Sequence, residues 1–277
     1  TQHTRIEAEL AGLAERTDPA SSPVVSPSVP NGSDHDAYVE HVIAYLEGRR
    51  LDGLRIVVDA ANGAASTVGP EVLRAAGADV VVVADRPDGR NINDGCGATA
   101  PSLVADAVLA HGADVGIALD GDADRAILVD ESGRVLDGDD ILLAWARHLK
   151  RGDRLPGNRV VATVMSNFGL ERSLNGDGMT MKRCPVGDRA VWVAMGEDGI
   201  ALGGEQSGHI ICSHYSVSGD GLLTGSHVLA IAAADGRRVS ELSDLVRMPQ
   251  LLLNVPVTHR RPFGELPTVT AELTASN

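Results

Sequence analysis

Aromatic residues are scarce in this 277-residue chain, which has two Trp, three Tyr and two Phe. Stacking platforms for single-stranded nucleic acid have little to be built from. Cations are also in deficit, 24 Lys and Arg against 38 Asp and Glu, for a formal charge of −14. A surface that tracks phosphates needs clustered cations, so no nucleic-acid partner is expected. Cysteine occurs three times, widely spaced, at Cys96, Cys184 and Cys212. Three thiols cannot form a full disulfide framework, and a reduced cytoplasmic protein is the simplest expectation. No apolar run approaches the ~20 residues of a membrane helix, and the first residues lack a signal-peptide pattern, so no membrane association is expected. What is present is 43% hydrophobic residues, in a length that allows two domains with cores of their own. An acidic protein of this kind binds a phosphorylated ligand only where local cations or a metal reverse the field.

The most informative stretch is 115–131, where the apolar runs 115–119 and 126–129 bracket the loop Asp120–Arg125. Runs this short, bounded by turn residues, read as buried strands. The loop between them carries carboxylates at Asp120, Asp122 and Asp124 and then Arg125. Three carboxylates within a few ångströms repel one another unless a positive charge lies between them. A hard divalent cation such as Mg²⁺ suits such oxygen donors and keeps coordination positions open for phosphate. The competing readings are a solvated acidic turn and an EF-hand calcium loop. The EF-hand fails, because Arg125 stands where that loop needs Gly and the flanks read as strands.

Around this loop the chain alternates strand and helix. Residues 1–16 read as a short amphipathic helix with Ile6, Leu10 and Leu13 on one face, and 17–33 as a Pro- and Ser-rich linker. Helix is expected over 37–46, strand over 54–59, helix over 65–76, strand over 80–83 and helix over 101–111; a further helix follows Asp137 to about Leu149. The pattern then repeats: strand 159–164, helix 168–174, strand 179–183, helix 188–197, strand 200–202, a Gly-rich loop 203–208, strand 209–212 and a helix from 221. A last helix is expected over 241–246 and a strand over 251–257. The expected fold is thus α/β: two tandem repeats of a three-layer unit, strand–helix–strand–helix–strand–strand–helix, with mixed, mainly parallel sheets. The expected divisions are 1–33, the end of a preceding domain plus linker; 34–150, a metal-binding domain; 151–250, a sugar-binding domain; and 251–277, a linker leading into another domain.

The repeat puts Gly204-Glu-Gln-Ser-Gly-His209 in the place that the acidic loop holds in the first unit. Ligands of open α/β sheets bind beyond the carboxyl ends of the strands, where both loops lie. Glu205, Ser207 and His209 on a glycine-rich backbone suit a polyhydroxylated ligand such as a sugar. Asp188, Asp139 and Asp220 read as helix caps, and Arg189 as a residue able to grip phosphate.

With these motifs the chain resembles the α-D-phosphohexomutases, most closely the bacterial branch that acts on glucosamine phosphates. Asp120-Gly-Asp-Ala-Asp-Arg125 is similar to the family's metal loop and Gly204-Glu-Gln-Ser-Gly-His209 to its sugar loop; Asn91–Gly97, Val186-Gly-Asp-Arg189 and Gly219-Asp-Gly221 match further stretches. The resemblance implies that Asp120, Asp122 and Asp124 bind Mg²⁺ and that Arg125 contacts the transferred phosphate. It implies that Glu205 and Ser207 hold sugar hydroxyls with His209 nearby, and that the substrate is a phosphorylated hexosamine. The implied reaction interconverts glucosamine 6-phosphate and glucosamine 1-phosphate through a phosphoserine enzyme and a bisphosphate intermediate.

The chain departs from the family in containing only the second and third of its four domains. The family's Ser-His-Asn phosphoserine context and its Arg-Pro-Ser-Gly-Thr phosphate clamp are absent from these residues. Cys96-Gly-Ala-Thr-Ala-Pro101 stands where relatives often read Cys-Gly-Ser-Thr-His-Pro, and Pro185 where many carry Lys before Val-Gly-Asp-Arg. The 277 residues alone are therefore expected to be inactive. Two other readings stand beside the first: a mutase of mannose or glucose phosphates, and a non-catalytic module that binds Mg²⁺ and phosphosugars. A homodimer is compatible with the sequence, which does not determine oligomeric state.

Overall fold

A computed structural model of the chain describes residues 32–253 and 265–275. The helix expected over 1–16 and most of the linker after it lie outside those residues. Helix α1, Gly32–Tyr45, takes in the segment expected to be helical and the end of the expected linker. The first sheet follows, with strands β1 Arg55–Asp59, β2 Asp79–Val83, β3 Val115–Leu119, β4 Ala126–Asp130 and a short β5 Val135–Leu136 that the sequence pattern did not indicate. Helices α2, Ala65–Ala75, and α3, Ser102–His111, make the crossovers. The strand order is β2-β1-β3-β4-β5, with β1 parallel to β2 and β3, and β4 antiparallel to both neighbours.

Strands β3 and β4 are buried at every residue, which explains why they read as unbroken apolar runs. One face meets α3, where Val104 and Val108 join Val57, Ala118 and Val129. The other carries Ile56, Val58, Ile117 and Leu128 into the main core with Val72, Leu73 and Leu229.

The second sheet repeats this plan with β6 Arg159–Thr163, β7 Thr180–Cys184, β8 Leu202–Gly204 and β9 Ile210–Cys212, joined by α5 Phe168–Gly176 and α6 Asp188–Asp198. Its order, β7-β6-β8-β9, copies that of the first four strands of the first sheet. The expected architecture, two repeated α/β units with mixed and mainly parallel sheets, is the one observed. Strand β8 lies two residues later than expected. Gly203 and Gly204 have low strand propensity, but pairing with Val161, Ala162, Ile211 and Ile210 overrides it.

The two units are interlocked by their closing helices. Helix α4, Gly138–Arg151, follows the first sheet yet packs on β8 as well as on β4 and β5. Helix α7, Gly221–Ala234, follows the second sheet yet packs on β3 and β4 of the first. Buried from Gly221 through Ala232, α7 is mainly apolar because it is enclosed on all sides, with Thr224, Ser226 and His227 as its buried polar side chains. Where α1, α4 and α7 meet, His227 stacks on Trp145 at 5.0 Å and lies 4.5 Å from Tyr215, with its Nδ1 3.0 Å from the Tyr45 carbonyl oxygen.

Three expectations at the end of the chain are corrected. Residues 241–246 are not a helix: after a single 3₁₀ turn, Val239–Glu241, the backbone is irregular. Side chains there are held by α4 instead, Ser243 donating to Asp140 at 2.6 Å and Asp244 pairing with Arg147 at 2.7 Å. Leu251–Leu253 form no strand, and the rest of that expected strand lies outside the described residues. Residues 267–275, which showed no expected element, form helix α8, Pro267–Ala275. The three cysteines are buried free thiols. No helix among the described residues is long and apolar enough to cross a membrane.

Burial drives the His227 pKa from its ordinary 6.5 down to about 4. The folded state thus keeps this ring neutral while the unfolded chain takes up a proton below 6.5. The stability this contributes is complete above pH 6.5 and is lost as pH falls towards 4. The wild-type chain should lose about 3 kcal/mol more between these limits than a His227→Gln variant, as read from urea unfolding at each pH.

Candidate active site and metal centre

The acidic loop leaves the carboxyl end of β3, beside the point where β2 and β3 diverge to opposite sides of β1. Asp120, 7% exposed, closes the turn by accepting from the Arg125 backbone N–H at 3.1 Å, and its own carbonyl accepts from Ala123. The Gly121 carbonyl is tied to Ala64 N–H at the start of α2. The result is a rigid loop in which Asp120, Asp122 and Asp124 each offer an oxygen, all within 4.8 Å of one another.

Arg125 belongs to the same cluster, its Nε 3.6 Å from both Asp120 and Asp124. That Nε and Asp124 Oδ1 are buried without a hydrogen-bond partner. Burial raises the Asp120 carboxyl to about 6, reinforced by the charges of Asp124 and Asp122. Asp124 is raised too, first by burial and then by Asp122 and Asp188. Hard oxygen donors, mutual repulsion and an unsatisfied carboxylate oxygen fit a divalent cation.

The second loop turns between β8 and β9. Glu205, 9% exposed, is aimed by the Gly187 N–H, which donates to its Oε1 at 2.8 Å, and Ser207 Oγ lies 3.3 Å from its Oε2. His209, 4% exposed, has Nε2 3.6 Å from Asp124 Oδ2, while its Nδ1 is buried and unpartnered. The loops meet through their backbones. Arg125 and His209 form an antiparallel bridge, with Ala126 N–H donating to the Gly208 carbonyl at 3.1 Å. From the start of α4, Gly138 N–H donates to the Gln206 carbonyl at 3.0 Å. A side chain at Gly138 would strike the Glu205 carbonyl, and one at Gly208 the Ala126 carbonyl. Glycine lets these chains approach closely enough to bond.

A cavity of about 400 Å³ opens between the loops, lined among others by Arg125, Thr163, Glu205 and Ser207. Ala98, Thr99 and Pro101 form another part of its wall. They are set there by Asp59, which ends β1 and accepts from Gly97 N–H at 2.7 Å and Ala61 N–H at 2.9 Å. A smaller recess of about 310 Å³ flanks Asp122 and Asp124 and contains Tyr38, whose hydroxyl is 3.0 Å from Asp220.

The structure therefore brings together Asp120, Asp122, Asp124, Arg125, Glu205, Ser207 and His209. Arg189 is not among them: it is exposed in the first turn of α6 and borders a neighbouring recess that also reaches His209. Two capping expectations are corrected. Gly187, not Asp188, precedes α6, so the Asp188 carboxylate is left to act on Asp124. Asp137, not Asp139, caps α4, accepting from Asp139 N–H at 3.0 Å; Asp139 is instead fully buried and accepts from Asn167 N–H at 2.8 Å. Asp220 does cap α7, accepting from Leu223 N–H at 2.9 Å. Sequence reasoning missed Asp137 as a cavity residue, bonded to Gln206 at 3.2 Å. The available signal was Asp137-Gly-Asp-Asp140, a carboxylate-rich helix start at the carboxyl end of a sheet.

Comparison with known proteins matches residues 36–133 to phosphoglucomutase/phosphomannomutase alpha/beta/alpha domain II and residues 137–248 to domain III of the same family. A phosphoglucosamine mutase of Ruegeria sp. (strain TM1040) is 48% identical over 253 residues, 90% of this chain and 57% of the relative. One from Ruegeria pomeroyi is 53% identical over 220 residues, 79% of this chain and 49% of the relative. The crystal structure of a phosphoglucomutase/phosphomannomutase family protein from Burkholderia thailandensis superposes with TM-score 0.67 at 29% identity, covering 77% of this chain and 46% of that one. The chain thus spans about half the length of the curated relatives it matches.

The contact at Gly138 is open to test. A Gly138→Ala variant should lose about 2–4 kcal/mol of stability in urea unfolding, because a methyl group there must part the two loops. An unchanged midpoint would show that the loops separate freely.

Proposed function

Since the chain belongs to the phosphoglucomutase/phosphomannomutase family, we propose that it forms the metal- and sugar-binding half of a phosphoglucosamine mutase, which interconverts glucosamine 6-phosphate and glucosamine 1-phosphate. The observation that carries this reading is the meeting of the loops: an acidic triad with its arginine bonded through the backbone to a Glu–Ser–His loop. The identity to relatives named phosphoglucosamine mutase favours the amino sugar over mannose or glucose phosphates.

In this reading Asp120, Asp122 and Asp124 hold Mg²⁺, which when bound neutralises charge on the phosphoryl group in transfer. Arg125, kept beside two of these carboxylates, adds a fixed guanidinium for the same phosphoryl oxygens. Phosphoryl transfer asks the protein chiefly for positioning and cations, and both are supplied by a loop with little freedom to move. Glu205, held by Gly187 N–H, accepts from a sugar hydroxyl, and Ser207 serves as donor or acceptor for its neighbour. His209, buried between the loops with Nε2 3.6 Å from Asp124, stands beside the bound sugar and the metal in this reading. Arg189, which borders the adjoining recess with His209, grips a phosphate of the substrate in this reading. The phosphoserine donor is supplied from outside these 277 residues.

The gene product carrying this chain should convert glucosamine 6-phosphate to the 1-phosphate only with Mg²⁺, and faster than it converts mannose or glucose phosphates. No Mg²⁺-dependent turnover, or a preference for another hexose phosphate, overturns the reading. Arg125→Lys should lower kcat roughly 10²- to 10³-fold, since an ammonium lacks the planar fork. The isolated chain should bind Mg²⁺ weakly in calorimetry and Asp122→Asn more weakly still, because three carboxylates leave much of the ion's shell to water. Sub-micromolar affinity would contradict the half-site described.

A further inference from the structure

We infer that strand β2 is a docking edge for a second copy of this chain. The two β2 strands pair antiparallel about Val81, which makes the first sheets of the two copies continuous. Strand β2 closes one end of the first sheet, with β1 as its only strand partner among the described residues. Its outer side therefore carries a row of unpaired backbone groups, a template for another strand.

Proteins usually blunt such edges with charges, proline, a bulge or shortness. The doubled unit supplies its own comparison. Strand β7 holds the same place in the second sheet and carries Lys182 and Arg183 along its length, with Pro185 just after it. The remaining edges are short, two residues in β5 and three in β9. Strand β2 has none of these guards over Val80–Val83, and all four valines are half-buried. Its register with β1 runs unbroken through all five residues, so there is no bulge. Its one charge, Asp79, is drawn to Arg55 on β1 at 2.7 Å, away from the free side.

The alternation of hydrogen bonds fits a second copy. Asp79 N–H donates to the Leu54 carbonyl and the Val83 carbonyl accepts from Ala60 N–H, so the odd-numbered residues face β1. Val80 and Val82 accordingly turn their N–H and C=O outward. In an antiparallel pair centred on Val81, Val80 exchanges both bonds with the partner's Val82, and Val82 with the partner's Val80. Val81 then meets its own copy at the non-hydrogen-bonded position.

The same register brings the Gly77 end of one strand to the Asp85 end of the other. Arg50 and Asp52 are paired at the first, 2.7 Å apart and packed against Gly77, and Asp85 and Arg86 stand at the second. Each end thus offers the other a carboxylate and a guanidinium, and no like charges are forced together. Helix α2 packs on β2, so the α2 helices of the two copies also draw near and widen the contact beyond one ladder.

Self-association of the gene product is measured by sedimentation over a dilution series. A dimer is expected, and Val82→Pro should weaken it roughly 10- to 100-fold, because it deletes an N–H that bonds nothing within the single chain. Val81→Cys should give a covalent dimer on mild oxidation, since the Cα atoms of such a pair lie about 4.5 Å apart, within disulfide reach. Val80→Cys should not, because its own copy is offset by two residues along the strand. Cys96, Cys184 and Cys212 are buried and add little background. A monomeric wild type overturns the inference and leaves the edge to another protein or to another part of the gene product. So does a dimer that Val82→Pro leaves unchanged, or a pair of cysteine variants that cross-link in any other pattern. If Val82→Pro fails to fold, the two cysteine variants decide alone.

Discussion

The structure depends on a short stretch of backbone contact between two loops from different sheets. Ala126 N–H on the Gly208 carbonyl and Gly138 N–H on the Gln206 carbonyl bring the acidic triad and the Glu–Ser–His loop within one hydrogen bond of each other. Neither loop could reach the other if a side chain stood at Gly138 or Gly208. Because these bonds are made by the main chain, the spacing of the two sets of functional groups is tied to the position of whole sheets. Side-chain rotamers have little say in it.

That spacing is reinforced from behind. Helix α4 leaves the first sheet to pack on the second, and α7 leaves the second to pack on the first. Moving one unit against the other would unpack both helices from a shared core that includes Trp145, Leu222 and Leu229. The cavity therefore has preformed walls, and the strain of keeping three carboxylates together is borne by a large hydrophobic interface. Burial raises Asp120 to about 6, and the like charges of Asp124 and Asp122 add to the rise.

Much of the candidate site was legible in the residues because its parts are contiguous. Asp120, Asp122, Asp124 and Arg125 occupy six consecutive positions between two apolar runs, and Glu205, Ser207 and His209 occupy five. The repeat that pointed to their equivalence is likewise a local pattern, two copies of the same order of apolar runs and glycines. What was not legible involves partners far apart in sequence. Asp137 and Gln206 are separated by 69 positions, and the local mark on Asp137, a carboxylate-rich helix start, does not point to Gln206. The missed end of the chain has the same origin: 241–246 has helical spacing, yet Ser243 and Asp244 are drawn to α4, about 100 residues earlier. Arg189 shows the converse, for a motif suited to phosphate was placed by α6 in a neighbouring recess.

By itself, then, the sequence determined the alternation of strand and helix, the doubling of one α/β unit and the chemical make-up of two loops. Each of these follows from local periodicity and from donors a few residues apart. Only the tertiary structure decided that the units exchange their closing helices, that the loops face each other across glycines and that Asp137 and Gln206 share a cavity. Those outcomes depend on which buried surfaces pair over long separations, and residue spacing along a chain does not encode that geometry until the cores have packed.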